Sequence, residues 1–329
     1  MAGYNTIRGL RVKYLSADPA NPEAGQVWYN STTGNLRVDG ILGTGAWASG
    51  GSMATARRDP AGFGTQNATV GTAGYGGAGY TSSTEEYDGS SWSAGTAYPG
   101  TSASMASTGT LTSGLVWGSA NPATIPGTTT NEYDGTTWTG GGAIGHATYD
   151  SGGAGTQTSA LSYGGGAGGA PNALVDEYNG STWTTSTSLN TNRRAPASVG
   201  TQTAALAAGG KSSPSPTDIT ANVEEWNGSS WTEVNNLPAP TFLMGSAGIQ
   251  TDALVFGGSQ GAPLLATTAS YDGTNWSTQP SMSSARQRLG SGQYASPSTA
   301  AIAFAGSSPF FSATEEYTVP VETKNLSVS

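Results

Sequence analysis

One short pattern recurs along this chain of 329 residues: a tyrosine, or once a tryptophan, is followed five residues later by a tryptophan, with Asp-Gly or Asn-Gly between them. The copies are EEYDGSSW, NEYDGTTW, DEYNGSTW, EEWNGSSW and ASYDGTNW, which end at Trp92, Trp138, Trp183, Trp231 and Trp276. Successive tryptophans are separated by 46, 45, 48 and 45 residues. A period of this length indicates an array of similar structural units, because a catalytic site occurs once in a chain whereas architecture is repeated.

The two ends of the chain each carry half of a sixth unit. The segment EEYTVP begins at Glu315 and supplies Tyr317 without a following tryptophan, whereas Trp47 lies 45 residues before Trp92 without a preceding tyrosine. Pairing of these two segments in one sheet would complete the last unit with strands from both ends and hide the edges of the array. The sequence therefore predicts that Trp47 and Tyr317 lie on neighbouring strands.

Each unit has the features of short β-strands. Asp-Gly and Asn-Gly favour a two-residue hairpin turn in which both central residues take positive φ, so the two aromatic residues are expected on paired antiparallel strands. Upstream, the runs GTQTSALSYGGG, GTQTAALAAGG and GIQTDALVFGG are β-prone, closed by glycines and without a helical period. Six units of four strands predict an all-β fold, a six-bladed β-propeller of four-stranded antiparallel blades over residues 41–320. The aromatic residues expected to fill the gaps between blades are Trp47, Tyr87, Trp92, Tyr133, Trp138, Tyr178, Trp183, Trp226, Trp231, Tyr271, Trp276 and Tyr317.

The pattern resembles the kelch-type β-propeller, whose blades carry a glycine doublet followed by a tyrosine and a tryptophan on adjacent strands. The resemblance covers residues 47–320 and is carried by Gly209-Gly210 with Trp226 and Trp231, by Gly257-Gly258 with Tyr271 and Trp276, and by their counterparts. The spacing between the tyrosine and the tryptophan is shorter here than in typical kelch blades. The doublet is altered at Trp117-Gly118 and Ala305-Gly306. The chain is therefore similar to kelch proteins without matching their pattern throughout.

A second resemblance rests on short sequence segments rather than on a named motif. The phrases YDGSSW, GTQTAALAAGG and, before the repeats, GQVWYNSTTGNLRV look like those of repeat proteins encoded by tailed phages of marine bacteria and cyanobacteria. This resemblance implies a non-enzymatic structural protein of a phage virion, associated with the tail or the capsid and present in several symmetric copies. Attachment to a host surface is an additional role that it implies.

Residues 1–40 do not match the repeat and are expected to form a small β arm. The segment GLRVKY alternates Leu10, Val12 and Tyr14 on one face, and QVWYNSTTGNLRV, which contains Trp28 and Tyr29, is typical of a hairpin. Two or three strands with one apolar face are too few to be stable alone in water. The arm must therefore dock either on the repeat array or on another chain. We expect it to anchor the protein on another virion protein through these five residues, whereas residues 321–329 are interpreted as a C-terminal tail.

Composition and charge restrict the possible functions. The chain has no cysteine and one histidine, and its formal charge is −9. Residues 1–40 carry four basic and three acidic side chains, a balance of +1, which leaves −10 on the rest of the chain. Such an acidic array disfavours binding of nucleic acid. The N-terminus lacks the apolar segment of a secretory signal, and no segment is apolar enough to enter a membrane. A protein made in a cytoplasm is therefore expected, and the resemblance to tailed-phage proteins implies a location in the virion.

The residues that usually carry chemistry favour structural interpretations. His146 has no second histidine or cysteine to complete a triad or a copper site. Glu85 and Glu86 are adjacent in a strand, so their side chains point to opposite faces and cannot converge on one substrate. Arg57, Arg193 and Arg286 recur at one position of the unit and are expected to pair with local carboxylates. The sequence therefore predicts no catalytic residue, no metal site and no cofactor.

The loops that follow the glycines differ from unit to unit, and differing loops on a common scaffold normally carry binding specificity. Leu264, Leu265, Phe310 and Phe311 are large apolar residues in these loops and are candidate partner contacts. Besides a virion structural protein, two functions stay open. One is a carbohydrate-binding propeller that recognises a host-surface glycan through its loops. The other, less supported, is a glycan hydrolase.

Overall fold

The structure is a computed structural model that describes residues 12–19, 26–41, 43–121, 123, 127–215, 217–292, 297–307 and 309–325. The described residues form strands, turns and bends, and no helix occurs among them. None of them therefore forms a helix long and apolar enough to cross a membrane. The chain divides into two compact units, one of residues 46–318 and one of residues 1–45 with 319–329. The prediction of an all-β protein is confirmed for the described part of the chain.

The larger unit contains six four-stranded sheets, which we number 1 to 6 along the chain. Sheet 1 consists of Ala61–Thr65, Ala68–Thr72, Thr84–Tyr87 and Trp92–Ala94. Sheet 2 consists of Ala106–Thr110, Ser113–Trp117, Thr130–Tyr133 and Trp138–Gly140. Sheet 3 consists of Gly152–Thr156, Ser159–Tyr163, Val175–Tyr178 and Trp183–Thr185.

The remaining sheets repeat this arrangement. Sheet 4 consists of Ala197–Thr201, Ala204–Ala208, Val223–Trp226 and Trp231–Val234. Sheet 5 consists of Gly245–Ile249, Asp252–Phe256, Thr268–Tyr271 and Trp276–Gln279. Sheet 6 consists of Gly290–Ser291, Ala300–Phe304, Thr314–Thr318 and, as its fourth strand, Ala46–Gly50.

Within each sheet every strand pairs antiparallel with the next, so the prediction of four-stranded antiparallel sheets is confirmed. In sheet 6 the fourth strand comes from the N-terminal side of the unit, and Trp47 pairs in register with Tyr317. The first strands of the six sheets are neighbours in numerical order, and the first strand of sheet 6 also contacts that of sheet 1. The last sheet thus has sheets 5 and 1 on its two sides.

The hairpins between third and fourth strands differ from the predicted two-residue turn. Tyr87 pairs with Trp92, so the connecting loop has four residues, and only its Gly89 takes positive φ (91°). The carboxylate of Asp88 accepts hydrogen bonds from the backbone N–H groups of Ser90 (2.9 Å) and Ser91 (2.8 Å). The predicted turn type is wrong because this side chain satisfies the backbone of a wider loop, which a two-residue turn would not offer.

The fourth-strand tryptophans pack toward the preceding sheet. The ring of Trp92 lies 4.9 Å from that of Phe304, and the ring of Trp47 lies 4.9 Å from that of Phe256. Three indole N–H groups donate to threonine hydroxyls at the start of the preceding sheet's third strand, at 2.9 to 3.0 Å: Trp92 to Thr314, Trp183 to Thr130 and Trp47 to Thr268. The tryptophan therefore joins neighbouring sheets by both apolar and polar contacts.

One fourth-strand tryptophan, Trp231, lacks a hydrogen bond from its indole N–H within the described part of the chain, and this yields a testable prediction. The buried indole N–H of Trp231 has no hydrogen-bond partner among the described residues, because Val175 stands where sheets 2, 5 and 6 have the accepting threonine. Replacing Val175 with threonine should raise the free energy of unfolding by about 1 kcal/mol, since it supplies the missing acceptor. Urea denaturation measures the change. The reverse substitution, Thr130→Val, is the matched control and should lower stability by a similar amount. A Val175→Thr protein that is less stable than the original would contradict the assignment.

The smaller unit contains one further sheet. Its strands are Lys13–Leu15, Val27–Asn30, Asn35–Ile41 and Val321–Asn325, in that spatial order. The first pair is parallel and the others are antiparallel. Residues 321–325, interpreted from the sequence as part of a tail, thus form a strand that pairs with Asn35–Ile41. The carboxylate of Asp18 accepts hydrogen bonds from Trp28 Nε1 (2.9 Å) and Asn30 Nδ2 (2.8 Å) and pairs with Arg37.

Candidate functional site: the loop-side mouth of the sheet array

The second carboxylate of the repeated EEY motif is used between sheets. The hydroxyl of Tyr178 in sheet 3 donates to Glu132 in sheet 2 at 2.7 Å, and that of Tyr271 in sheet 5 donates to Glu225 in sheet 4 at 3.0 Å. Tyr133 in sheet 2 donates to Glu86 in sheet 1 in the same way. These glutamates are therefore structural acceptors and are not free to act on a substrate.

The glutamine of the GTQT segment also connects neighbouring sheets. Gln202 in sheet 4 donates from Nε2 to the carbonyls of Ala160 (3.0 Å) and Tyr178 (2.8 Å) in sheet 3. Gln66, Gln157 and Gln250 make equivalent pairs of bonds to the second and third strands of the preceding sheet. The recurrence of this residue is thus explained by architecture.

The first carboxylate of the motif pairs with an arginine of its own unit, as the sequence predicted. Arg57 donates to Glu85 at 2.9 Å, and both side chains are buried. The pairs Arg193 with Glu224 and Arg286 with Glu315 repeat this arrangement. Where the arginine is absent the carboxylate changes too: sheet 5 has Thr241 and Ala269 at the two positions. In sheet 3 the acid is Asp176, and its Oδ2 lies 3.2 Å from His146 Nδ1.

One position of the unit brings all six sheets together through the backbone. It lies twelve residues after each tryptophan and two residues before each first strand. Each residue here donates its N–H to the carbonyl oxygen of the equivalent residue in the preceding unit, at distances from 2.7 to 3.2 Å, and Asp59 donates to Arg288 at 2.8 Å. The six bonds form a closed cycle. We name these residues the mouth ring: Asp59, Ser104, Asp150, Ala195, Leu243 and Arg288.

The mouth ring combines one backbone geometry with different side chains. All six residues take positive φ between 53° and 58°, a conformation that non-glycine residues adopt at a cost. None is β-branched, in agreement with the stronger steric penalty for such residues there. Two of the side chains are acidic, one is cationic, one is a hydroxyl and two are apolar. The geometry is required by the array, whereas the chemistry of each position is not.

The charged members of the ring interact directly. Arg288 Nη1 donates to both carboxylate oxygens of Asp59 at 3.0 Å, while Arg58 Nε lies 3.6 Å from the same carboxylate. Arg194 Nε lies 3.7 Å from Asp150. Burial raises the pKa of Asp59 to about 6, with Arg288 opposing the shift and Asp150 adding to it. Burial also raises the pKa of Asp150.

Tyrosines line the same place. Arg57–Arg58, Tyr75–Gly76 and Gly79–Tyr80 form a small sheet in which the rings of Tyr75 and Tyr80 meet edge-on at 5.1 Å. The guanidinium of Arg58 lies 5.0 Å from the ring of Tyr75, and that of Arg194 lies 5.5 Å from the ring of Tyr149. These side chains, with four mouth-ring residues and two alanines, enclose a pocket of about 300 Å³. We name it the mouth pocket, and its lining residues are Arg58, Asp59, Tyr75, Tyr80, Ala103, Ser104, Ala120, Tyr149, Asp150, Arg194 and Arg288.

The predicted loop contacts are only partly near this pocket. Phe310 is 38% exposed, lies 6.2 Å from the ring of Tyr75 and extends the aromatic surface beside Arg58. Phe311 is half-buried against the guanidinium of Arg286, at 5.1 Å. Leu264 and Leu265 are also half-buried, and Leu265 lines a separate apolar cavity of about 160 Å³ with Leu237 and Phe256.

The predicted contacts of the arm are divided between surface and interior. Val12 and Tyr14 are exposed (48% and 75%), and the ring of Tyr14 lies 4.6 Å from that of the half-buried Tyr29. Trp28 is fully buried and is therefore not part of the exposed surface of the arm. Leu10 lies outside the described residues.

The recurring sequence motif does not predict the residues of the mouth. Asp59, Asp150 and Arg288 occupy the same position of the repeat unit but differ in residue type, so a recurring-residue pattern does not include them. The available signal was the constant offset of twelve residues from each tryptophan, together with the change of side chain at that offset. The pocket offers guanidinium donors, carboxylate acceptors and aromatic faces. No group of three or more acidic, histidine or cysteine side chains suited to a metal occurs among the described residues.

Comparison with protein families and curated proteins identifies no relative, so the functional assignment rests on the geometry described above. A scan against protein families finds no match to the chain, and no curated protein matches it either. The differences between its own six units therefore provide the internal comparison, because positions that the fold requires recur and positions that it does not require vary.

Proposed function

We propose that the larger unit is a closed six-bladed β-propeller. The strongest support is that the joint between sheets 6 and 1 uses the same three kinds of bond as the joint between sheets 2 and 3. Tyr87 donates to Glu316 at 2.5 Å, Gln66 donates to the carbonyl of Tyr317 at 2.8 Å, and Trp92 donates to Thr314 at 2.9 Å. The cyclic backbone bonds of the mouth ring add a second line of support.

The propeller, in this proposal, is a non-enzymatic binding protein that recognises its partner at the mouth and the surrounding loops. The observation that carries this proposal is that the repeated side chains and the variable side chains of the unit have different roles. The repeated carboxylates, glutamines and tryptophans are engaged in bonds between or within blades, whereas the mouth-ring side chains differ in chemistry on one backbone geometry. Side chains that the fold does not specify are available for recognition.

The site of action that we propose is a phage virion, on the capsid or the tail, with the small β arm as the docking element. The support is the resemblance of the repeat phrases to those of tailed-phage proteins and the exposed Val12 and Tyr14 on the arm. Several symmetric copies on a particle would strengthen individually weak contacts by avidity.

Incorporation into particles tests this role. We expect the full chain to be found in purified virions by mass spectrometry, whereas a chain of residues 46–318 folds but is not incorporated. Circular dichroism and size-exclusion chromatography establish folding of the shorter chain. Absence of the full chain from particles, or equal incorporation of both chains, would overturn the proposed role of the arm. Release of reducing ends from an incubated polysaccharide would instead favour the hydrolase.

A further inference from the structure

We propose that the mouth pocket binds an acidic saccharide, a pyranose sugar that carries a carboxylate. This inference rests on the proposed function as a binding protein and names the ligand class of that site. The pocket has the three chemical elements that such a ligand requires: cations for its carboxylate, acceptors for its hydroxyl groups and aromatic faces for its ring.

The cations of the larger unit are concentrated at the mouth. Residues 46–318 contain seven basic side chains, and three of them are held in the buried ion pairs with Glu85, Glu224 and Glu315. The other four lie together at the mouth: Arg58, Arg194, Arg288 and Lys211. Lys211 exchanges two backbone hydrogen bonds with Arg194, each at 2.8 Å. Burial and the guanidinium charges of Arg194 and Arg288 lower its pKa, while Asp218 opposes the shift.

These cations exceed the carboxylates that face them. Around the four cations lie three carboxylates, because Asp59 and Asp150 line the pocket and Asp218 interacts with Lys211. The buried Nε atoms of Arg58 and Arg194 face Asp59 at 3.6 Å and Asp150 at 3.7 Å, and Arg194 Nη1 donates to the hydroxyl of Tyr149 at 3.1 Å. Arg58 keeps 38% of its side chain exposed, so its guanidinium can reach both the pocket and solvent. The partly exposed guanidinium of Arg58 matches a carboxylate in shape and charge.

The mouth pocket also offers partners for the hydroxyl groups and the ring of a sugar. Asp59 and Asp150 are acceptors that can receive hydroxyl donors, and Tyr149 contributes a phenol at the pocket wall. Tyr80 is 38% exposed, as is Phe310, so flat aromatic surface is available beside the cations. Aromatic faces pack well against the apolar face of a pyranose, and the pocket volume is at the lower end of the range for small-ligand sites.

The combination favours a sugar over an acidic peptide. A peptide rich in acidic residues would bring several charges toward Asp59 and Asp150, whereas one carboxylate among several hydroxyl groups matches the mixed pocket. The surroundings lead to the same choice, because residues 46–318 carry seven basic and seventeen acidic side chains, a net charge of −10. A ligand of high negative charge is repelled by this array except at the mouth itself.

Binding should tighten as the pH falls from 7.5 to 5.5. Asp59 faces Arg288, Arg58 and Asp150, and its pKa of about 6 means that it is ionised at the upper pH and largely neutral at the lower one. The loss of this negative charge leaves more of the guanidinium charge for the ligand. A sugar carboxylate stays ionised down to about pH 4, so its own charge does not change in this interval.

Isothermal titration calorimetry on the full chain tests the inference. The probes are an oligosaccharide that ends in glucuronic acid and its neutral counterpart that ends in glucose. We expect the acidic probe to bind at least about tenfold more tightly than the neutral one, and Arg58→Met and Tyr80→Ala each to weaken it by about tenfold or more. Lys13→Met and Tyr14→Ala, which remove an exposed cation and an exposed tyrosine from the arm, are the matched controls and should leave binding unchanged.

Each outcome decides between the possibilities. Equal binding of the two probes, or an affinity that Arg58→Met does not change, overturns the acidic-saccharide site. Binding of an acidic peptide in place of both sugars also overturns it, but leaves the proposed binding function intact. No binding of the acidic probe at either pH overturns the inference, and particle incorporation then decides separately on the virion role. Unchanged thermal unfolding of the variants excludes loss of folding as the cause.

Discussion

Replacing Arg193 with threonine is expected to lower the free energy of unfolding by about 3–5 kcal/mol. The guanidinium is fully buried, pairs with the equally buried Glu224 and donates to the carbonyls of Ala207, Gly209 and Asn222 at 2.9 to 3.2 Å. Its removal leaves a carboxylate in the interior without its counter-charge, and such a charge costs more than the lost bonds alone. Urea denaturation followed by tryptophan fluorescence measures the loss.

The chain supplies its own control for this experiment. Sheet 5 has Thr241 and Ala269 where sheet 4 has Arg193 and Glu224, so the double variant Arg193→Thr/Glu224→Ala copies a pair that already exists in the fold. The double variant removes both charges together and should lose far less stability than the sum of the two single variants. Additive losses would show that the two side chains act independently, contrary to the buried pair.

Removal of residues 46–51 is expected to have the largest effect on the larger unit. A chain of residues 52–318 lacks the fourth strand of sheet 6, so Thr314–Thr318 becomes an open edge that can pair with another molecule. It also lacks Trp47, whose ring packs on Phe256 and whose indole donates to Thr268. Loss of a packed tryptophan alone costs about 3–5 kcal/mol, so we expect aggregation or an unfolded chain.

The matched control for this truncation is the chain of residues 46–318, which is longer by six residues. It should be monomeric and cooperatively folded. Size-exclusion chromatography with light scattering and thermal unfolding compare the two. A synthetic peptide of residues 46–51 should partly restore the solubility of the shorter chain. Equal stability of both chains would contradict the role of the N-terminal strand in completing sheet 6.

The sequence predicted the elements of the fold from their repetition. The strand pattern, the pairing of residue types and the arginine–carboxylate pairs followed from local rules, because each recurs with its partner at constant spacing. The turn after Tyr87 was wrong because the side chain of Asp88 stabilises a wider loop, a competition that a dipeptide pattern does not reveal.

The mouth could not be predicted in the same way. Asp59 and Arg288 are 229 residues apart and meet only because the first and last sheets are neighbours. The same holds for Tyr75 and Phe310, which come from opposite ends of the chain. Local propensity carries no information about such contacts, so the pocket emerges only when the sheets are assembled.

The cyclic bonds of the mouth ring have a consequence for how this protein can diversify. Because main-chain atoms alone close the cycle, a new side chain at any of the six positions leaves the cycle intact, provided that it tolerates positive φ. Positions outside the partly buried Asp59–Arg288 ion pair can therefore change with a smaller loss of folding stability than a change within that pair. In the binding role that we propose, chains that share this backbone cycle but differ in its side chains are expected to bind chemically different partners.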